Sequence, residues 1–205
     1  MLRRHGMHAA LLAAACWAGQ ALALEAVREG DIIFHQSRSA QSQAIQLATH
    51  SRYSHMGLVL YRDGQPQVYE ASARVKYTPL AEWIARGEGG HYVLKRLREA
   101  DRLLDEPALR RLRTEAAPFA GRRYDLTFEW SDQRLYCSEL VWKIYQRALG
   151  LEIGAPQRVR DFDLTSAAVR SKMRERYGEQ VPLDERVISP AAMFDSPLLV
   201  QVRAQ

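Results

Sequence analysis

The sequence predicts an α+β fold, with short strands and helices segregated along the chain around a mainly antiparallel sheet. Three observations carry this reading. Residues 55–61 (HMGLVLY) and 66–72 (PQVYEAS) are strand-like runs joined by Arg62-Asp63-Gly64-Gln65, whose Asp-Gly pair is a hairpin signal. Residues 136–149 repeat Leu140, Val141, Ile144, Tyr145 and Ala148 at helical spacing, the pattern of a buried helix. Internal repeats, linkers and low-complexity stretches are absent from the sequence after residue 23, so 24–205 reads as one domain.

The remaining elements follow in order. Residues 31–34 (DIIF), after Glu29-Gly30, form an opening strand. Residues 40–49 put Ala44, Ile45, Leu47 and Ala48 on one face of a short amphipathic helix. Residues 79–85 make a short helix, with Pro79 in its first turn and Gly87 beyond its end. Residues 91–97 (HYVLKRL) alternate as a strand. A longer helix over 106–120 has Leu109, Leu112, Ala116 and Phe119 as its apolar side, and 121–133 is a polar, aromatic loop. Gly150 stops the helix over 136–149. The tail is weakly patterned, with 198–202 (LLVQV) as a late strand.

Residues 1–23 read as a signal peptide. Arg3 and Arg4 make a basic n-region, residues 9–17 (AALLAAACW) are apolar but too short to span a bilayer, and Ala21-Leu22-Ala23 predicts cleavage after Ala23. Acylation at Cys16, as in a lipoprotein, is the alternative, although Ala13 stands where that motif usually has Leu. The mature chain is therefore expected in the periplasm or outside the cell, without a transmembrane helix. Removing Arg3 and Arg4 lowers the formal net charge from +5 to +3. That suits an anionic envelope, and with no Lys/Arg run interleaved with aromatics it gives no argument for nucleic acid.

After cleavage Cys137 is the one cysteine left, so it has no internal disulfide partner. Taken alone it is a small buried residue or a nucleophile. A thiol attacks a carbonyl as thiolate, which a nearby imidazole supplies. Of His35, His50, His55 and His91, His55 is best placed, because Ser54-His55-Met56-Gly57 opens a strand that can aim its ring. The others show no metal-ligand spacing such as HExxH, so no metal or cofactor is expected. Glu70 lies between Tyr69 and Ala71 on the return strand, where a carboxylate needs a partner, and a bond to His55 would orient the ring. Glu139 is the alternative, as orienter or as a helix cap. Backbone N–H groups at the helix start would hold an oxyanion at Cys137.

Five blocks in order, Gly30-Asp31-Ile32-Ile33-Phe34, Tyr53-Ser54-His55-Met56-Gly57, Tyr69-Glu70-Ala71, Gly121-Arg122-Arg123-Tyr124-Asp125 and Tyr136-Cys137-Ser138-Glu139-Leu140-Val141, resemble the YiiX/YebB-like cysteine hydrolases. These form a circularly permuted branch of the NlpC-type, papain-like superfamily, and the order His, Glu, Cys marks the permutation. The resemblance covers residues 30–150. It implies a permuted papain-like fold, with a small antiparallel sheet packed on the helix that carries Cys137. It implies catalysis by Cys137, His55 and Glu70 through a thioester, with Tyr124 at the oxyanion region. Tyr53 and Tyr136 stand beside the same blocks as further oxyanion or substrate-binding candidates; core packing is the alternative for all three tyrosines.

The expected function is an exported cysteine hydrolase that cleaves an amide, as a peptidase or amidase acting on cell-wall peptide. Two alternatives stay open: a lipid acyl hydrolase or acyltransferase of the lecithin–retinol acyltransferase-like type, and a non-catalytic periplasmic binding protein on the same fold. The expected partner is a peptide or acyl-lipid substrate of the envelope. The sequence sets no oligomeric state.

Overall fold

The computed structural model describes residues 27–204, so the signal-peptide segment 1–23 and Cys16 lie outside the described residues. Strand β1 (Ile32–His35) leads to helix α1 (Ala40–Thr49) and then to a meander of β2 (His55–Arg62), β3 (Gln65–Ala71) and β4 (Val75–Pro79). The β2–β3 turn places Asp63 (φ 53°) and Gly64 (φ 72°) both in the left-handed region, the backbone that a two-residue hairpin needs and that Asp-Gly supplies. Helix α2 (Leu80–Arg86), strand β5 (Val93–Leu97), and helices α3 (Ala100–Leu103) and α4 (Glu106–Ala116) follow.

Helix α4 is shorter than its apolar pattern suggests. Pro118 has no N–H to continue the ladder, so the chain passes into a 3-10 turn at Ala117–Phe119. Short strands β6 (Arg123–Tyr124) and β7 (Arg134–Leu135) pair in parallel and close the aromatic loop. Helix α5 (Cys137–Leu149) ends at Gly150 with φ 68°. The tail carries β8 (Gln157–Arg158), α6 (Ala167–Tyr177), β9 (Arg186–Val187), α7 (Pro190–Phe194) and β10 (Leu199–Ala204). Sequence pattern missed β4, the short strands β6 to β9, and helices α3, α6 and α7. Ser166 caps α6 by accepting the Val169 N–H, and Ser189 caps α7 by accepting that of Ala192.

Six strands form one sheet in the order β10-β5-β1-β2-β3-β4, antiparallel at every pair. One face packs on α5, where Leu140, Val141, Ile144 and Tyr145 join Met56, Leu58 and Tyr69 in a solvent-free core. Each such side chain contributes about 1.5–3 kcal/mol by leaving water. On the other face α2 lays Leu80 and Trp83 over Ile33, Val59, Val68 and Leu94. Among the described residues, no helix is long and apolar enough to cross a membrane.

Candidate active site

Cys137 is the first residue of α5 and is 2% exposed. Tyr136 is the N-cap, extended at φ −97° and ψ 167°, and no side chain caps the helix. The first helical bond runs from the Leu140 N–H to the Tyr136 carbonyl at 3.0 Å, so the N–H groups of Cys137, Ser138 and Glu139 face outward from the positive end of the helix. The neighbours of Cys137 anchor this end. The Ser138 hydroxyl donates to the Ile188 carbonyl at 2.7 Å, and the Ile188 N–H donates to the Tyr136 hydroxyl at 3.1 Å.

His55 is the first residue of β2, at the end of the sheet. Its Nε2 lies 2.6 Å from Oε2 of Glu70, which leaves Nδ1, the other ring nitrogen, for Cys137, a neighbour that raises the His55 pKa. Tyr69 pairs with Leu58, so Glu70 falls opposite Gly57 and diagonal to His55 on the same face. Gly57 makes this approach possible: a Cβ there would stand 2.4 Å from Cγ1 of Val68 and 3.4 Å from Cβ of Glu70.

Glu70 is fully buried and richly bonded. Thr78 donates to Oε1 at 2.6 Å, Trp83 Nε1 donates to Oε2 at 3.1 Å, and Arg86 forms an ion pair with Oε1. Burial alone would raise its pKa, but the bond and charge of His55, then Thr78 and Arg86, hold it at about 2. Burial likewise pulls His55 down, and the influence of Cys137 and Glu70 outweighs that, pushing it up to about 9. His35, opposite His55 across the β1–β2 ladder, stacks on Trp83 at 4.0 Å. Burial, then the charges of His55 and Arg86, depress it to about 3, so it packs against the site as a neutral ring.

Glu139, the alternative orienter, faces away from His55 in its bonding: its Oε1 lies 2.7 Å from Nζ of Lys143, one turn along α5. Burial raises it to about 8, with Lys143 only partly offsetting this. Lys143 also donates to the Ser131 carbonyl at 2.6 Å and to Asp132 at 3.0 Å, tying α5 to the loop that carries Tyr124.

Two cavities meet at the site. An apolar one of about 110 Å³ is lined by Cys137, Tyr124 and Tyr136, together with apolar residues of α1, α6 and the tail. An open groove lies on the His55 side. Gln41, Ile45 and Tyr124 line both. Gln41 Nε2 donates to the Tyr124 hydroxyl at 2.9 Å, and burial, then Cys137, keep that hydroxyl protonated far above its usual range. Tyr136 keeps a place in the cavity wall while its hydroxyl oxygen is taken by Ile188. Tyr53 lines neither cavity: its ring stacks on Phe194 at 4.0 Å and meets Phe34 edge-on, so its proximity to His55 in sequence reflects packing. Gln41, Thr78, Trp83 and Arg86 had no sequence signal of their own.

Comparison with known proteins adds three findings. The family described as permuted papain-like amidase enzyme, YaeF/YiiX, C92 family, matches residues 26–203. The uncharacterized protein YiiX of Escherichia coli (strain K12) is 51% identical over 173 residues, 84% of either chain. The crystal structure of metalloprotein yiiX from Escherichia coli O157:H7 superposes with a TM-score of 0.83 at 49% identity, covering 87% of this chain and 97% of that one.

Proposed function

This chain belongs to the permuted papain-like amidase family of YaeF and YiiX, and from that premise we propose that it is an exported cysteine amidase working through a thioester on Cys137. The observation that carries the proposal is the 2.6 Å contact between His55 and the buried Glu70, with Cys137 at the head of α5 raising the His55 pKa. Sulfur bonds the acyl carbon with its proton already resting on Nδ1 of His55, and the negative charge moves to the carbonyl oxygen. The N–H groups at the start of α5, with Gln41 and Tyr124 beside them, face that oxygen. Collapse breaks the carbon–nitrogen bond, and His55 gives its proton to the leaving amine. Water then attacks the thioester, His55 takes one of its protons, the carbon–sulfur bond breaks, and the acid leaves while the thiol is restored. Glu70 holds the Nε2 proton throughout and stabilises the imidazolium.

The E. coli O157:H7 relative is titled a metalloprotein. Among the described residues, no three His, Cys, Asp or Glu side chains are grouped to hold an ion. The described residues therefore do not fit a resident metal. Export rests on the basic n-region, the apolar stretch and Ala21-Leu22-Ala23 at the start of the sequence.

The test is amine release from acyl amides by the purified protein, with intact mass measured during turnover. An acyl adduct on wild type, absent from Cys137→Ala, and loss of turnover in Cys137→Ala and His55→Ala are the expected results. Full turnover by Cys137→Ala would overturn the proposal.

A further inference from the structure

We propose that Ser42 and Ser54 are positioning residues: with Ser37 they close a ring of hydrogen bonds that holds Gln41 and Tyr124 at a set distance from His55. This rests on the cysteine amidase reading and adds to it two residues that touch no reacting atom.

The ring follows from counting protons. The Ser42 hydroxyl oxygen lies 2.5 Å from the Ser37 carbonyl oxygen and 2.5 Å from the Ser54 hydroxyl oxygen. A carbonyl only accepts, so the single Ser42 proton goes to Ser37. Ser54 is then the donor to Ser42. The Ser54 oxygen in turn accepts the Ser37 N–H at 3.1 Å. The bonds therefore run from the Ser37 N–H to Ser54, from Ser54 to Ser42, and from Ser42 back to the Ser37 carbonyl. Ser42 and Ser54 are both buried, and the ring gives each hydroxyl the acceptor that a buried donor needs.

The ring joins the two elements that carry the polar side of the site. Ser54 directly precedes His55, and its N–H donates to the His35 carbonyl at 3.2 Å, which continues the β1–β2 ladder. Ser42 directly follows Gln41 on α1, and Gln41 donates to the Tyr124 hydroxyl at 2.9 Å. Because Tyr124 accepts from Gln41, its own proton is left for another oxygen. In the proposed reaction that oxygen is the developing oxyanion. Ser37, Ser42, Ser54, Gln41 and His55 all line the same open groove.

Apolar packing does not set this geometry. Of its ten residues α1 buries only Ser42 and Ala44, and its main packing partner is α6 rather than the sheet. Apolar burial is non-directional, whereas a hydrogen bond fixes both distance and angle. Strand β2 differs, because β1 and β3 pair with it on either side and hold it without help from the ring. Opening the ring should therefore shift the first turn of α1, and Gln41 with it, while His55 stays beside Glu70. A misplacement of about 1 Å costs on the order of 10²-fold in rate.

The test compares two reactions of Cys137 in the full chain, each followed by intact mass. Iodoacetamide alkylates the thiolate, expels iodide and builds no oxyanion. 4-Nitrophenyl acetate acetylates the sulfur through a tetrahedral oxyanion and expels 4-nitrophenolate. The ratio of acetylation to alkylation rates thus reads the oxyanion side and removes any effect of folding yield. Ser42→Ala, Ser54→Ala and the double variant should each lower this ratio by roughly 10- to 100-fold. The double should lose no more than either single, since the ring opens only once. In Gln41→Ala the ratio is already low, and adding Ser42→Ala should lower it no further. Gln46→Ala removes a 2.9 Å bond to Ser42 but leaves the ring closed, so the ratio should hold. Should an alanine variant not fold, Ser42→Cys fills the same place with a poorer donor and should lower the ratio as well. An unchanged ratio in the serine variants, losses that multiply with Gln41→Ala, or an equal loss in Gln46→Ala would overturn the proposal. Wild type that is alkylated in a His55-dependent way but never acetylated would also overturn it, and would leave the cysteine amidase reading standing. Alkylation indifferent to His55→Ala would remove both.

Discussion

Oε2 of Glu70 lies 2.6 Å from Nε2 of His55, and Glu70 has no solvent exposure at all. A carboxylate in that position is tolerated only when its lone pairs are met by donors. Four side chains do this, from β2, β4 and α2: His55, Thr78, Trp83 and Arg86. The arrangement fixes the His55 tautomer and keeps the ring charged beside Cys137.

Replacing Glu70 with Gln keeps the shape and removes the charge. We expect kcat to fall roughly 10²- to 10⁴-fold with little change in KM, because the loss falls on imidazolium formation. The alkaline limb of the pH–rate profile, set by His55 at about 9, should move to lower pH. An unchanged limb in Glu70→Gln would mean that the carboxylate does not act through the ring.

Thr78 is a positioning residue, since it touches Glu70 and no reacting atom. Thr78→Val preserves shape but deletes the donor 2.6 Å from Oε1. The expected cost is about 1.5–3 kcal/mol of stability, read by chemical denaturation. A purely structural role would leave the pH–rate limb in place, whereas a positioning role lowers it, and Thr78→Ser should restore it.

Stability should depend on pH through four groups at and around the site. Glu70 is held at about 2 against 4.5, and His35 at about 3 against 6.5, so both lose stability as pH falls, from 4.5 and from 6.5 respectively. His55 is raised from 6.5 to about 9 and Glu139 from 4.5 to about 8, so their contributions are complete below 6.5 and 4.5 and fade as pH rises through the folded values. Between 4.5 and 6.5 His35 and Glu139 oppose each other. The expected Tm profile is a broad maximum over that window. In Glu139→Gln the maximum should move up towards 6.5, with Lys143 still held by Asp132. A maximum unmoved by that substitution would show that Glu139 does not titrate there.

Much of this site was legible because short-range rules determine it. Asp63-Gly64 calls for a tight hairpin, the hairpin sets β2 against β3, and that register brings Glu70 beside His55. The apolar spacing of Leu140, Val141, Ile144 and Tyr145 likewise places Cys137 at the head of a buried helix. What stayed hidden depends on contacts distant in sequence. Helix α6 buries only Val169, so it has no periodic stripe to read, yet it walls the cavity at Cys137. Gln41 shares α1 with Gln43 and Gln46, and only packing against Tyr124 singles it out. Tyr53 failed for the opposite reason: closeness in sequence to His55 says nothing about a ring that Phe194 holds elsewhere.

Gly57 offers a test of how tightly the strand pair supports the proposed catalytic line. A methyl at this position would stand 2.4 Å from Cγ1 of Val68 and 3.0 Å from the Tyr69 carbonyl oxygen. Gly57→Ala must therefore push β3 outward, at a cost of about 1–3 kcal/mol by overpacking. It should also stretch the His55–Glu70 contact, so kcat should fall more than stability alone explains. Val68→Ala removes the atom nearest the clash while leaving the Tyr69 carbonyl in place. The double variant should then be more stable than the sum of the single costs allows, with a coupling of about 0.5–3 kcal/mol, and should regain part of the lost kcat. Strictly additive costs, measured by denaturation of all four proteins, would mean that β2 and β3 relax independently, and that the 2.6 Å contact is not maintained by their close approach at Gly57.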